Sequence, residues 1–387
     1  MKKIRVGIIG AGRACRVMHI PELGQYPDTF QITAICDNVP NRLDGLPESV
    51  SDAKLYDSIE KLLADKEVDM VTIATRNLDH TPMAIMALEA GKYVVVEKPI
   101  AVTAKQIKEL RDADKKYPGK MFFRFNRRFE PAFNTVRDII KSGTLGRISM
   151  VKIYRHPGFV RRLDWQTLTK FYGGILNNWG PHLIDQAVQL LDAPITSMWS
   201  DVQHNVAAGD ADDQVKVLLR GTNKRVVDVE ISTCTTMPGR LYEVWGDLGS
   251  LVVPLEENVI KLRYLDPKQK LKPLEAIPGQ FPLLYGNAME ELHFIEETRP
   301  CTYLGGHVLQ RGKILADGTA VNPAEGYSHP DTMWGYIYQS ITHNVLYPVK
   351  TEEGLKVMEL LLKICKQSGY QPCESYLSGK QGRFAGQ

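Results

Sequence analysis

The sequence predicts a doubly wound α/β domain over residues 1–123, followed by an α+β domain over residues 124–387 with a large, mostly antiparallel sheet. Three observations predict it. Apolar runs alternate with amphipathic helical stretches at the start of the chain, a glycine pair directly follows the first run, and period-two strands replace that rhythm after Phe123. Strands that are apolar throughout, separated by helices, are what a parallel sheet buried on both faces requires.

The elements follow in order. "KIRVGIIG" reads as a strand ending in glycine, "HIPELGQY" as helix or turn, and "FQITAICD" as a second strand closing on an acid. "YDSIEKLLAD" has helical period, "VDMVTIAT" is strand-like, "HTPMAIMALEAG" helical, and "YVVVEKPIA" a fourth strand. Helical "TAKQIKELRDADKKY" and strand-like "KMFFRF" complete the first domain. Beyond it, "FEPAFNTVRDIIKSG" is a helix ended by Gly143, and "RISMVKIYRH" alternates. The strand-like "DQVKVLLRG", "RVVDVEISTCT", "RLYEVWGDLGSLVVP" and "NVIKLRYL" suit an antiparallel sheet. "KILADGTAV" reads as a hairpin around Asp317–Gly318, "DTMWGYIYQSITHNVL" and "EEGLKVMELLLKICKQ" as closing helices, and the last residues as a loose tail.

Composition excludes several classes. At 387 residues, 43% hydrophobic and 24% charged, the chain is that of a globular protein long enough for two cores. A formal charge of +3 gives no argument for nucleic acid or an anionic membrane as partner. The six scattered cysteines lack metal-binding or disulfide-frame spacing, so no metal is expected, and they read as reduced thiols of a cytoplasmic protein. The apolar run from Val6 to Ile9 is too short for a signal peptide, and no stretch approaches the roughly 20 apolar residues of a membrane span.

"VGIIGAGRACRVMHIP" carries the first chemistry. Gly10 allows a tight strand-to-helix turn, Gly12 lets the backbone approach a pyrophosphate, and the amides of Ala11 to Ala14 open a helix on which phosphates sit. The third glycine position of this loop is Cys15, small enough for close packing. Asp37 ends the next strand, where a carboxylate holds a ribose diol and favours NAD. Arg13 and Arg42 are placed to take the 2′-phosphate of NADP instead. Thr75, Asn77 and His80 follow the strand "VDMVTIAT" on the same side of the sheet; turn and cap chemistry is the other reading for them, and the one preferred for Thr81. Glu97 and Lys98 end the fourth strand, facing the ligand crevice.

Taken together, "GIIGAGRA…HIP", "ICD", "ATRNLDH…ALEAGKYVVVEKP", "FNRRFEPAF…SGTLGRI" and "GGILNNWGPHLID" resemble the glucose–fructose oxidoreductase, inositol dehydrogenase and rhizopine catabolism (Gfo/Idh/MocA) oxidoreductase family, from Lys3 to about Val253. The resemblance implies a Rossmann domain, an α+β domain whose open sheet builds dimers or tetramers, and a cis Lys98–Pro99 bond. It implies NAD(P)-dependent oxidation or reduction of a sugar, polyol or related carbonyl, with Lys98 and His182 beside the reacting hydroxyl. Some similar proteins cleave glycosides by transient oxidation with tightly held NAD, and others are non-catalytic dinucleotide-binding regulators; both remain as alternatives.

Gly180–Pro181 reads as a helix entry with proline at the first position, which places His182 in the first turn, where the helix N-terminus favours a neutral imidazole. Leu183, Ile184, Ala187, Val188 and Leu191 form the apolar stripe opposite. Similar proteins carry aspartate where this chain has Asn178, and an amide takes no proton near neutrality. Asn178 is therefore read as positioning substrate, His182 as the base and Lys98 as its electrostatic partner. The cluster Arg124, Arg127, Arg128, Arg155, His156, Arg161 and Arg162, with Phe159, Trp165 and Tyr172, reads first as a solvated basic face over core aromatics. Its second reading is a pocket for an acidic sugar, with Arg155 and Trp165 as substrate contacts.

Overall fold

The computed structural model describes residues 3–237, 239–255, 259–276, 290–301 and 333–370. The first six strands are β1 (Ile4–Ile9), β2 (Phe30–Cys36), β3 (Lys54–Tyr56), β4 (Met70–Ile73), β5 (Tyr93–Val96) and β6 (Met121–Phe123). They form one parallel sheet in the order β3-β2-β1-β4-β5-β6. Helices α1 (Ile20–Gly24), α2 (Ile59–Ala64), α3 (His80–Glu89) and α4 (Ala104–Lys116) connect them. Val6, Ile8, Val71, Ile73, Val94, Val95 and Val96 are all buried, which is why these strands read as unbroken apolar runs. Local chemistry sets the helix starts: Ser58 and Thr103 accept the amides of Lys61 and Gln106, each three residues on. The strand β3 is a short, partly exposed edge with no apolar run to mark it in the sequence.

Helix α5 (Pro131–Ser142) leads into the second sheet, built from β7 (Ile148–Arg155), β8 (Ile195–Gln203), β9 (Gln214–Gly221), β10 (Val226–Ser232), β11 (Tyr242–Gly246), β12 (Gly249–Val253), β13 (Val259–Leu265) and β14 (Phe294–Pro300). Its order is β14-β13-β12-β11-β7-β10-β9-β8, antiparallel except for the β10–β7 pair. Between β7 and β8 lies α6 (Ile175–Leu191), which packs on β10, β9 and β7. Val215, Val217, Val227, Val229 and Tyr242 face it. Leu183, Ile184, Ala187, Leu190 and Leu191 are buried beneath, and full burial of one such leucine is worth about 1.5–3 kcal/mol.

Helix α7 (Met333–His343) returns to the first sheet. Its Met333, Trp334, Ile337 and Tyr338 pack on Ile4, Val6, Phe30, Met70, Val95 and Phe122, so the chain returns to cover a face of the first sheet. Helix α8 (Thr351–Ser368) then lies against α6, β8 and α4. The boundary near residue 123 therefore marks the change of sheet, while the closing helices span both units. The hairpin read at Asp317–Gly318 and the polar tail lie outside the described residues.

Candidate active site

The carboxyl ends of the parallel strands form one wall of the site. Gly10, at φ +99°, makes the turn after β1, and a side chain there would come within 2.6 Å of the carbonyl oxygen of Ala74. At Gly12 a Cβ would meet nothing within 4 Å, which leaves the open approach a pyrophosphate needs. Cys15 takes the third glycine position and is buried against Ile8, Ile35 and Val50, its thiol pushed up to about 12 by burial. Asp37 reaches back to this loop: it accepts the amides of Ala11 and Val39, each at 2.9 Å, and pairs with Arg42 at 3.7 Å. Arg13 is exposed, as is Arg42, at the same end of the crevice. Arg16, unremarked in the sequence, spans the carbonyls of Ala11, Arg42, Asp44 and Gly45 and fixes the loop after Asp37. These residues fit a dinucleotide: a turn with room for phosphates and an acid beside it.

Two residues read as facing the cofactor do other work. The ring of His80 is buried, with Nδ1 2.8 Å from the carbonyl oxygen of Pro99 and Nε2 3.2 Å from that of Thr75, so it joins two strand ends. Asn77 donates its amide to the carbonyl of Tyr172 at 2.6 Å, across to the second unit. Thr81 lies inside α3 and donates to Ile100. Thr75 stays at the crevice, its methyl beside Gly10.

Lys98 follows β5, and its bond to Pro99 is cis. Behind it Glu97 is buried, with one oxygen 3.0 Å from both His19 Nε2 and Arg124, and the other accepting the Lys98 amide at 3.1 Å. Arg124 in turn pairs with Glu22, which accepts the indole N–H of Trp334 on α7 at 2.8 Å. Burial alone would raise the Glu97 carboxyl, but Arg124 and His19 hold it well below the usual carboxylate range. The Lys98 ammonium donates to the backbone and side-chain oxygens of Asn178, at 2.8 and 2.9 Å. Burial, and then Arg124, Arg127 and Arg162 against the opposing Glu97, lower it to about 8.

The second wall is α6, and it begins earlier than the sequence suggests. Gly174, at φ +97°, precedes its first residue Ile175, and Pro181 lies inside the helix. The start is set from a distance: Asp212 accepts the amide of Leu176 with its carboxylate at 2.7 Å and that of Ile175 with its carbonyl at 2.8 Å. A local reading sees only the proline. Having no N–H, Pro181 leaves the carbonyl of Asn177 without its helical donor, next to the Asn178 carbonyl that accepts Lys98. His182 thus sits mid-helix, and the dipole argument for its neutrality falls. Burial, followed by the charges of Lys98 and Arg127, holds its pKa well below 6.5 instead. Its Nδ1 is buried with no hydrogen-bond partner among the described residues.

Gln166 completes the contacts of Asn178. It accepts the Asn178 amide at 2.8 Å and Arg162 at 2.6 Å, while Arg162 also grips Asp164. The Arg127 guanidinium lies 4.4 Å over the Trp179 ring, whose edge meets His182. Nothing in the sequence marked Gln166 beyond its place after Trp165. Trp165 is half-buried, edge-on to Phe171 on the loop before α6. Arg155, read as a substrate contact, is buried; it pairs with Glu130 at 3.1 Å and touches the Tyr242 hydroxyl at 3.3 Å. That arginine ties β7 to the start of α5 and to β11 and is shut away from solvent.

Comparison with known proteins agrees with the two-sheet fold. Residues 4–125 match the family model described as an oxidoreductase family with an NAD-binding Rossmann fold, and residues 133–252 match the GFO/IDH/MocA C-terminal domain. The chain is 31% identical over 286 residues to the uncharacterized oxidoreductase YdgJ of Escherichia coli K12, covering 72% of this chain and 76% of that one. It is 27% identical over 220 residues to a myo-inositol 2-dehydrogenase of Thermotoga maritima, covering 56% and 64%. The WlbA dehydrogenase of Bordetella pertussis, solved with NADH and UDP-GlcNAcA, superposes with a TM-score of 0.68 at 19% identity, over 95% of this chain and 97% of that one.

Proposed function

The chain belongs to the Gfo/Idh/MocA family of NAD-binding oxidoreductases, and from that premise we propose that it interconverts a hydroxyl and a carbonyl on a sugar, polyol or sugar acid, with His182 as acid–base and Lys98 as its electrostatic partner. One observation carries the reading. A half-buried lysine is held by both oxygens of Asn178, and its charge bears on a histidine kept neutral with an unpaired ring nitrogen. When bound, NAD supplies the hydride acceptor. The loop from Gly10 to Ala14, Asp37 and Thr75 would hold it.

An alcohol carbon gives up hydride only as its hydroxyl proton departs, so the site needs a base and a positive group near that oxygen. Neutral His182 accepts the proton. Lys98, with two donors spent on Asn178, has a third N–H for the developing alkoxide. Asn178 cannot carry the proton, so its part is to aim the lysine. The five described cysteines are all unpaired, which supports a reducing, cytoplasmic setting. Trp199 of β8 and Trp245 of β11 stand about half exposed on the sheet face away from the helices, which supports a homo-oligomer built through that face.

The test is a screen of sugars, inositols and uronic acids with NAD and NADP, following reduced nicotinamide, on wild type, Lys98→Ala and His182→Ala. Each substitution is expected to lower kcat by about 10²–10⁴-fold with the dissociation constant for NAD held. Wild-type rates in either variant overturn the assignment. Glycoside cleavage without net NADH, by protein that purifies with its cofactor, would instead point to transient oxidation.

A further inference from the structure

We propose that the substrate carries a negative charge, a carboxylate or phosphate ester, and that Arg76 with Lys170 recognises it at the rim of the crevice. This rests on the dehydrogenase reading above and names the substrate class of that same site.

Arg76 follows Thr75 at the carboxyl end of β4, on the cofactor side. Its guanidinium nevertheless lies 4.4 Å over the ring of Phe171, on the loop that leads into α6. The Lys170 ammonium lies 5.0 Å from the same ring centroid. The adjoining bond from Asn77 to the Tyr172 carbonyl, at 2.6 Å, ties these two loops together and holds the arginine against the aromatic. The arrangement is therefore braced from both units.

Arg76 is half-buried on an aromatic ring and still forms no ion pair among the described residues. Arg124, Arg127, Arg128, Arg155 and Arg162 each pair with a carboxylate. Arg76 is half-buried, yet no carboxylate lies within ion-pair distance of it among the described residues, Asp79 included. A guanidinium stacked by its face keeps its N–H edge free, and that edge is a fork matched to carboxylate or phosphate oxygens. The neighbouring loop adds to the imbalance. It carries Arg161, Arg162 and Lys170 against a single acid, Asp164, which Arg162 takes at 2.7 Å. Neither Arg76 nor Lys170 forms an ion pair among the described residues, Asp79 acting on Arg76 only from a distance, while Lys98 and Arg127 add positive charge around His182. A half-desolvated, unpaired cation costs free energy unless a ligand supplies the counter-charge.

The experiment uses the full chain with NAD and matched sets of one neutral hexose, its uronate and its 6-phosphate: glucose, glucuronate and glucose 6-phosphate, and the galactose series. One charged member is expected to have the higher kcat/KM, and which one wins distinguishes carboxylate from phosphate. Arg76→Gln should lower kcat/KM for that member by roughly 10- to 100-fold, chiefly through KM, and by at least tenfold more than for the neutral sugar. Lys170→Gln should act in the same direction, more weakly, with a smaller salt dependence than wild type. Equal losses on charged and neutral sugars overturn the proposal, as does a rise in the dissociation constant for NAD with sugar KM unchanged. If no sugar turns over, the dehydrogenase reading fails by itself. The anion site is then judged by calorimetry of glucuronate and glucose 6-phosphate on NAD-loaded protein, where weaker binding by Arg76→Gln supports it. Equal affinity for both proteins, or no binding to either, overturns it.

Discussion

Lys98 and His182 reach the crevice from walls built on different terms. On the lysine wall the groups behind Lys98 are paired: Glu97 takes Arg124 and the His19 ring, and Glu22 takes Arg124 and the Trp334 N–H. On the helical wall the supports lie along the length of α6. Asp212 takes its first amides, Asp185 pairs with Arg128, and Gln186 binds both the Tyr242 hydroxyl and Glu130. The Nδ1 of His182, the residue proposed as the base, has no hydrogen-bond partner among the described residues. A fixed positive charge is useful only if its position is settled before substrate arrives, whereas a proton acceptor is useful only if its lone pair is free. The difference between the walls matches the division of labour proposed for Lys98 and His182.

The harshest way to break the comparison is to remove the anion at the centre of the lysine wall. Glu97→Gln keeps the shape but removes one of the two carboxylates that face the buried Arg124. It is expected to cost about 3–5 kcal/mol of stability, read as a lower denaturant midpoint. A midpoint equal to wild type would mean that the buried cluster does not hold this wall.

A gentler probe separates the walls by their protons. In the proposed alcohol oxidation the site needs neutral His182 and charged Lys98. The imidazole is neutral above its folded pKa, which burial, Lys98 and Arg127 put well below 6.5, and the lysine is charged below about 8. The rate should therefore rise through an acid limb below pH 6.5, hold near neutrality, and fall as pH passes about 8. Lys98→Arg, whose charge persists to high pH, should be slower and should lose the alkaline limb. Persistence of that limb would assign it to another group.

The two walls were also unequally legible. The lysine wall lies at the ends of strands buried on both faces, so its position follows from apolar runs and a glycine pair. Its charge partners, His19 and Glu22 on one side and Trp334 far along the chain, carry no local signal. On the helical wall, residue types misled. Proline favours a first helical position, so Pro181 looked like the entry, but the true start is stabilised by Asp212, 36 residues from Leu176. Arg155 had the right chemistry for a substrate contact and the wrong neighbours. The missed strands β3, β8 and β14 are all at sheet edges. Edge strands shield little apolar surface on their open side, so the alternation that reveals a strand is weak there.

Asn178 joins the two walls, and changing it has the smallest expected effect on rate and the most informative one. In Asn178→Asp one oxygen keeps the lysine, now with full charge assistance. The other replaces the amide that donates to Gln166 Oε1, setting acceptor against acceptor at a contact of 2.8 Å. Gln166 relieves this by turning its own amide, but Arg162 then loses the oxygen it holds at 2.6 Å. The gain at Lys98 is thus offset at the rim, and kcat should change by less than about tenfold. The pH profile should move more clearly. A carboxylate beside the ammonium favours its charged form, so the alkaline limb should shift upward from about 8 by roughly one to three units. His182, one helical turn along the same face, should see a weaker pull, and the acid limb should rise less. If neither limb moves, the amide does not set the lysine's charge; if only the acid limb moves, Asn178 belongs to the histidine wall, and the lysine is governed by Glu97 alone.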